Sequence, residues 1–169
     1  MIKAAFLDRD DTIIVDIPYL DNPDRITLLP NAVEGLKEMM ARGYTLILIT
    51  NQSGIGRGYF TEETLAKING RLCEILEQHG VTLARIYYCP HAPEAKCSCR
   101  KPATGMLEQA CNDFSIDLKN SVMIGDGKGD IGLAQNFGIT GIQVTNGKKD
   151  PIPGATRVCQ DLLEAARTM

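Results

Sequence analysis

Apolar positions along the chain follow two alternating rhythms. Ile2–Leu7, Tyr44–Thr50 (YTLILIT), Ile86–Cys89, Ser121–Gly125 and Ile139–Thr145 are short, largely apolar runs. They are too short for helices and several end in a polar cluster, which predicts strands buried on both faces. Between them lie segments with helical start and stop signals. Asn31 to Arg42 predicts a helix, with Asn31 placed to cap it, Glu34 three residues later and Gly43 past its end. Thr61 to His79 predicts a longer one, with Thr61 as cap, Glu62 and Glu63 in the first turn and Gly80 as the stop. Thr104–Phe114, a short stretch through about Phe137, and Asp161–Arg167 read as further helices, the last preceded by a short edge strand at Thr156–Cys159.

Strands alternating with helices imply crossover connections. The expected fold is α/β, a Rossmann-like parallel sheet with helices on both faces. No repeat, low-complexity tract or composition break divides residues 1–169, so one domain is expected. Only about 18 residues separate the first strand's polar end from the first helix, and no large insertion follows Thr50, so no large cap domain is expected. The site should be open, shaped by Tyr19 to Leu28, Ser53 to Tyr59 and the cysteine-rich loop.

Ligands of such sheets bind at the carboxyl ends of the strands. There the chain places Asp8-Arg9-Asp10-Asp11-Thr12, Thr50-Asn51-Gln52-Ser53, Arg100-Lys101 and Gly125-Asp126, with Asp130 a turn further on. Asp8 and Asp10, two apart on an extended strand end, project to the same side. Carboxylates gathered in this way require a counter-charge, and an all-oxygen donor set suits Mg²⁺. A cation beside Lys101 and Thr50 points to phosphate, with one Asp as nucleophile and the second as general acid and base. Taken singly, each residue also reads as a turn cap, a strand end or a solvated charge. The ordered set at successive strand ends favours the site.

The run Phe6-Leu7-Asp8-Arg9-Asp10-Asp11-Thr12-Ile13-Ile14 resembles the first motif of the haloacid dehalogenase superfamily of phosphotransferases. Thr50 matches its second motif, Lys101 its third, and Gly125-Asp126 with Asp130 its fourth. Thr50 to Thr61 and Cys99-Arg100-Lys101-Pro102 are similar to the D-glycero-D-manno-heptose 1,7-bisphosphate 7-phosphatases. Histidinol-phosphate phosphatases share the aspartates and the metal loop and rank second. Polynucleotide 3′-phosphatases resemble only the first two motifs. The resemblance implies Asp8 as nucleophile, Asp10 as general acid and base, Thr50 on the transferring phosphoryl group, and Lys101 on phosphate and aspartate charge. It implies Mg²⁺ on Asp8, the Asp10 carbonyl and Asp126, with Asp130 behind them or orienting Lys101. Asn51, Ser53, Arg57 and Arg100 would bind substrate, and a planar guanidinium suits a second phosphate.

Two positions depart from the usual pattern. Asp11 stands where glycine commonly follows the second aspartate, and Gly127 precedes Lys128 where a lysine commonly follows Asp126 directly. These departures alone favour a non-catalytic phosphate- or metal-binding homologue, against the intact Asp8, Asp10, Thr50, Lys101 and Asp126.

Cys89, His91, Cys97 and Cys99 make a Cys₃His donor set, the composition of a closed structural zinc site. The paired ligands are one residue apart, tighter than usual, and reduced thiols in a loop are the alternative. The resemblance implies a zinc loop over about residues 89–101. Gly127-Lys128-Gly129-Asp130-Ile131-Gly132 also spells G-x-G-x-x-G after a strand, with Asp150 about twenty residues on. Too little chain follows to build a dinucleotide fold, so these glycines are expected to permit close backbone approach.

Composition narrows the picture little further. The chain is 44% hydrophobic and 23% charged, and its net charge of −3 disfavours a nucleic-acid face. No run spans a membrane, and an Asp at position 8 comes too early for a secretory signal. With six cysteines and no such signal, a cytoplasmic, reduced protein is expected. Its expected partner is a small phosphorylated sugar, and a monomer is the default.

Overall fold

The computed structural model describes residues 1–169. Strands β1 (Lys3–Leu7), β2 (Tyr44–Asn51), β3 (Arg85–Cys89), β4 (Val122–Gly125), β5 (Thr140–Val144) and β6 (Arg157–Cys159) form one sheet in the order β3-β2-β1-β4-β5-β6. Every pairing is parallel. Five helices connect and cover them: α1 (Ala32–Ala41), α2 (Glu62–Gln78), α3 (Gly105–Asp113), α4 (Lys128–Phe137) and α5 (Leu162–Arg167).

The two-residue period of the strands sorts their side chains into two cores. Ala5, Leu7, Leu46, Leu48 and Ile124 point to one face, against Leu36, Leu72 and Leu162 of α1, α2 and α5. Ala4, Phe6, Ile47, Ile49 and Met123 point to the other, against Leu107 and Leu133 of α3 and α4. Both faces are therefore covered, as the uninterrupted apolar runs imply.

Helix caps follow the expectation in part. The Thr61 hydroxyl accepts from the Thr64 N–H at 3.1 Å, and an Asp161 carboxylate oxygen accepts from the Glu164 N–H at 2.9 Å. Asn31 occupies the N-cap position of α1 but does not cap it. Its backbone is left-handed, with φ 62°, and its side-chain amide donates instead to Asp161 at 2.8 Å. A cap residue is normally extended, and the left-handed backbone, which asparagine tolerates at little cost, is the departure here. The bond fastens the start of α1 to the start of α5.

No large cap covers the sheet edge. The β1–α1 connection is a short ribbon in which Ile14 bridges both Asp10 and Leu28, followed by a single turn at Pro23–Arg25.

Helices α1 and α5 touch at Gly35, where an added Cβ would lie 2.5 Å from the Leu162 carbonyl carbon. Gly35→Ala should therefore destabilise by about 1–3 kcal/mol through overpacking, despite a better helix former. Gly70, mid-helix in α2, has nothing within 4 Å of the same position. Gly70→Ala should stabilise by roughly 0.5–1 kcal/mol. Urea unfolding of the two variants should move the midpoint in opposite directions.

Candidate active site

Strand β1 sits between β2 and β4, so the chain's connections leave its carboxyl end in opposite directions. That end is the switch point where such sheets bind ligands. Asp8 lies there, its N–H donating to the Ile124 carbonyl at 2.9 Å before the two strands part.

The Lys101 ammonium, buried beneath Asp8, uses all three protons. It donates to Asp8 Oδ1 at 2.8 Å, Asp130 Oδ1 at 2.7 Å and the Ile49 carbonyl at 2.7 Å. Burial alone would lower its pKa, but Asp130 and Asp8 outweigh burial and raise it above an ordinary lysine. The second oxygen of Asp130 accepts from the Gly127 N–H at 3.0 Å. Asp130 thus orients Lys101 and has no oxygen left over. Asn51 holds the lysine's backbone from both sides, accepting from the Lys101 N–H at 2.9 Å and donating to its carbonyl at 3.2 Å. Its amide is committed to positioning Lys101.

Asp10 is held differently. Both of its oxygens are gripped by the Arg9 guanidinium at 3.1 Å, and Gln52 Nε2 donates to it at 3.2 Å. Arg9 is 1% exposed, its remaining end approaching Asn69 Oδ1 at 3.5 Å. Burial raises the pKa of Asp10, and the Arg9 charge opposes it. Thr50 is fully buried, its hydroxyl accepting from the same Gln52 amide at 2.8 Å. Sequence reasoning gave no role to Arg9 or Gln52.

Asp8, Asp126 and Asp130 offer oxygens within 4.8 Å of one another. Burial and then the Asp8 charge push Asp126 up to about 7, against the opposing hydrogen bond from Lys149. The N–H groups of Thr12, Ile13 and Ile14 all donate to the Arg9 carbonyl. The neighbouring Asp10 carbonyl is left without a backbone donor. The clustered Asp8 and Asp126 carboxylates make an all-oxygen set that fits Mg²⁺, and the free Asp10 carbonyl is the further ligand that the resemblance implies. Lys149, also unassigned from sequence, hydrogen-bonds Asp126.

These groups line a polar cleft of about 260 Å³. It shares Asp10, Asp16 and Asn51 with a second cleft of about 420 Å³. Ser53 and Arg100 line the second cleft, together with Tyr19 from the β1–α1 ribbon. Arg100 carries a buried nitrogen with no hydrogen-bond partner. Tyr19 meets Tyr59 edge-on, ring centres 4.7 Å apart, joining the ribbon to the loop after β2. Arg57, which is exposed, and Thr50, which is fully buried, line neither cleft, unlike Asn51, Ser53 and Arg100. Lys128 is exposed at the start of α4 and forms no ion pair.

After β3 the four candidate soft ligands converge. Cys89 Sγ lies 3.0 Å from Cys99 Sγ and 3.5 Å from Cys97 Sγ, and His91 Nδ1 lies 3.3 Å from Cys99 Sγ. Zinc–sulfur bonds of about 2.3 Å place tetrahedral ligands roughly 3.7 Å apart, so the set fits zinc. Burial raises the Cys97 thiol, but the Arg100 N–H and neighbouring groups outweigh it and bring it down to about 6. Cys99 runs directly into Arg100 and Lys101.

The G-x-G-x-x-G run serves packing. A Cβ at Gly132 would lie 2.8 Å from Pro102, so the glycines let α4 close on the Lys101–Pro102 segment, and Asp130 is occupied with the lysine.

The family model for HAD-hydrolase-like proteins matches residues 98–165. A probable D-glycero-D-manno-heptose-1,7-bisphosphate 7-phosphatase of Thermoplasma volcanium is 42% identical over 74% of this chain and 86% of its own. The D-glycero-beta-D-manno-heptose-1,7-bisphosphate 7-phosphatase of Haemophilus ducreyi is 42% identical over 86% of this chain and 85% of its own. Among solved structures, the D,D-heptose 1,7-bisphosphate phosphatase of B. bronchiseptica, complexed with magnesium and phosphate, superposes with a TM-score of 0.87. It is 31% identical, over 99% of this chain and 97% of its own. On the strength of these relatives and of the aspartate–lysine cleft, the chain belongs to the haloacid dehalogenase-like phosphatases, in the family of the D-glycero-D-manno-heptose-1,7-bisphosphate 7-phosphatases.

Proposed function

We propose that this phosphatase removes the 7-phosphate of D-glycero-D-manno-heptose 1,7-bisphosphate through an aspartyl-phosphate on Asp8. The observation that carries the reading is the Asp8–Lys101–Asp130 array on the cleft floor, with Asp10 held beside it. An Asp8 oxygen attacks phosphorus, and the bond to the sugar oxygen breaks as Asp10 donates a proton to it. Asp10 then takes a proton from water attacking the acyl phosphate. Phosphate leaves and the Asp8 carboxylate is restored. Lys101 holds Asp8 in line and offsets the charge gathering at the cleft floor. Mg²⁺ bound by Asp8, Asp126 and the Asp10 carbonyl would neutralise phosphoryl oxygens.

The second phosphate has its anchor in Arg100, which lines the adjoining cleft and keeps a guanidinium nitrogen without a partner. The heptose relatives favour this substrate over histidinol phosphate. They include a D-glycero-alpha-D-manno-heptose-1,7-bisphosphate 7-phosphatase of Photorhabdus laumondii, 39% identical, beside the beta enzymes. Both anomers therefore belong in the test.

Phosphate release is measured from each heptose anomer and from histidinol phosphate, with Mg²⁺. A preference of about 10²-fold or more for a heptose bisphosphate is expected. Equal or faster release from histidinol phosphate would overturn the substrate assignment. Asp8→Asn should lower kcat by at least about 10²-fold, and a smaller loss would contradict a nucleophile at Asp8.

We read the Cys₃His cluster as a structural zinc site that orders residues 89–101. Chelation should remove one zinc per chain, measured by atomic absorption. It should also lower the thermal midpoint by roughly 5–10 °C, with recovery on adding zinc back.

A further inference from the structure

Asp11 and Lys149 lie far apart in the sequence and meet at the mouth of the cleft. Asp11 has φ 56°, a backbone conformation that glycine adopts without cost. Here the turn carries a carboxylate, and both of its oxygens are used. One accepts from the Asp16 N–H at 3.1 Å, and the other lies 3.1 Å from Lys149 Nζ. The Asp11 carbonyl accepts from the Asn146 side chain at 2.7 Å, which fastens the turn to the loop carrying Lys149. The Lys149 N–H in turn donates to the Thr145 carbonyl at 3.2 Å, so the lysine leaves a short turn fixed at two points. Its ammonium reaches inward and hydrogen-bonds the Asp126 carboxylate.

The surrounding charge makes this bond consequential. The cleft is lined by Asp8, Asp10, Asp11, Asp16, Asp126 and Asp130. Lys101 serves Asp8 and Asp130, and Arg9 serves Asp10. Lys149 is the cation left for Asp11 and Asp126.

We propose that Lys149, tethered by Asp11, is a built-in counter-ion of the divalent-cation site, which an entering cation must displace from Asp126. The inference rests on Asp126 being a cation ligand, as proposed above. Displacing a charge-assisted hydrogen bond and placing a divalent ion near an ammonium both oppose metal binding. The lysine therefore raises the cation concentration at which the site fills, and it keeps the carboxylates neutralised while metal is scarce.

The test is Mn²⁺ binding to the zinc-replete protein without substrate, read from the spin-resonance signal of the free ion. Lys149→Met should bind Mn²⁺ about ten-fold more tightly than the parent protein, the worth of one charge-assisted hydrogen bond. Lys149→Gln, which keeps most of the side chain's bulk without the charge, should do the same if Met disturbs the loop. Lys148→Met removes the same charge from an exposed neighbour and should change affinity by less than about two-fold. The metal-free Lys149→Met protein should also melt lower than its parent and gain more on adding Mn²⁺. Unchanged or weaker binding in both Lys149 variants would overturn the proposal. Asp126→Asn separates the two readings. If it binds Mn²⁺ as the parent does, Asp126 is not a ligand and both readings fall. If it loses Mn²⁺ while the Lys149 variants match the parent, only the counter-ion proposal fails.

Discussion

A lysine ammonium closed off from water has to be wrapped in oxygen, and that requirement ties the site to the sheet. Lys101 takes its three acceptors from the end of β1, the end of β2 and the first turn of α4. Moving an ion out of water costs several kcal/mol, recovered only when the partners stand in good geometry. The β1–β2 and β1–β4 registers, the entry of α4 and the loop before Lys101 must therefore agree with one another. Asn51 adds a further condition by gripping the lysine's backbone from β2. A site held in this way is organised before substrate arrives, which is where most electrostatic catalysis is expected to originate.

The same economy of charge explains how chemically identical aspartates come to differ. Asp130 accepts from Lys101 through one oxygen and from the Gly127 N–H through the other, and so is placed to orient the lysine. Asp10 is clasped by a buried guanidinium, with Gln52 as a further donor. Asp8 keeps one oxygen on Lys101 and has no other cationic partner, the arrangement suited to a nucleophile. Role is set by surroundings more than by residue type. Arg9, buried and paired with Asp10 through both carboxylate oxygens, has its charge spent on that aspartate.

Much of this architecture was legible in the chain. The six strands, their parallel sense and the two covered faces follow from short apolar runs alternating with capped helices, and Thr61 caps where expected. Asp8, Lys101, Asp126 and Asp130 could be grouped because strand carboxyl ends share one edge. What escaped was anything requiring knowledge of a side chain's second partner. Asn31 looks like a cap, but its backbone is left-handed and its side-chain amide donates to Asp161, 130 residues away. Asn51 lines both clefts, but its hold on the Lys101 backbone, fifty residues away, gave no signal in the sequence. Arg9 reads as one more loop charge, because its burial depends on Asp10 and Asn69 meeting in space. Lys149 has no local signal, since its partners Asp11 and Asp126 come from two other loops.

The cysteine cluster occupies a position with unusual leverage. An enzyme without a large cap must grip its substrate with short loops, and residues 90–101 hold little apolar surface with which to order themselves. Four ligand groups drawn to one ion would supply that order at a single point. The Arg100 N–H approaches Cys97 Sγ at 3.4 Å, and the Gly105 N–H donates to the Ser98 carbonyl at 2.9 Å. With zinc bound, the cluster would set the backbone on both sides of Arg100 and Lys101. Arg100 lines the adjoining cleft and Lys101 lies under Asp8, so a single cross-link would govern both. Rotation of this loop by even an ångström would disturb both, and misplacements of that size can cost a reaction two orders of magnitude.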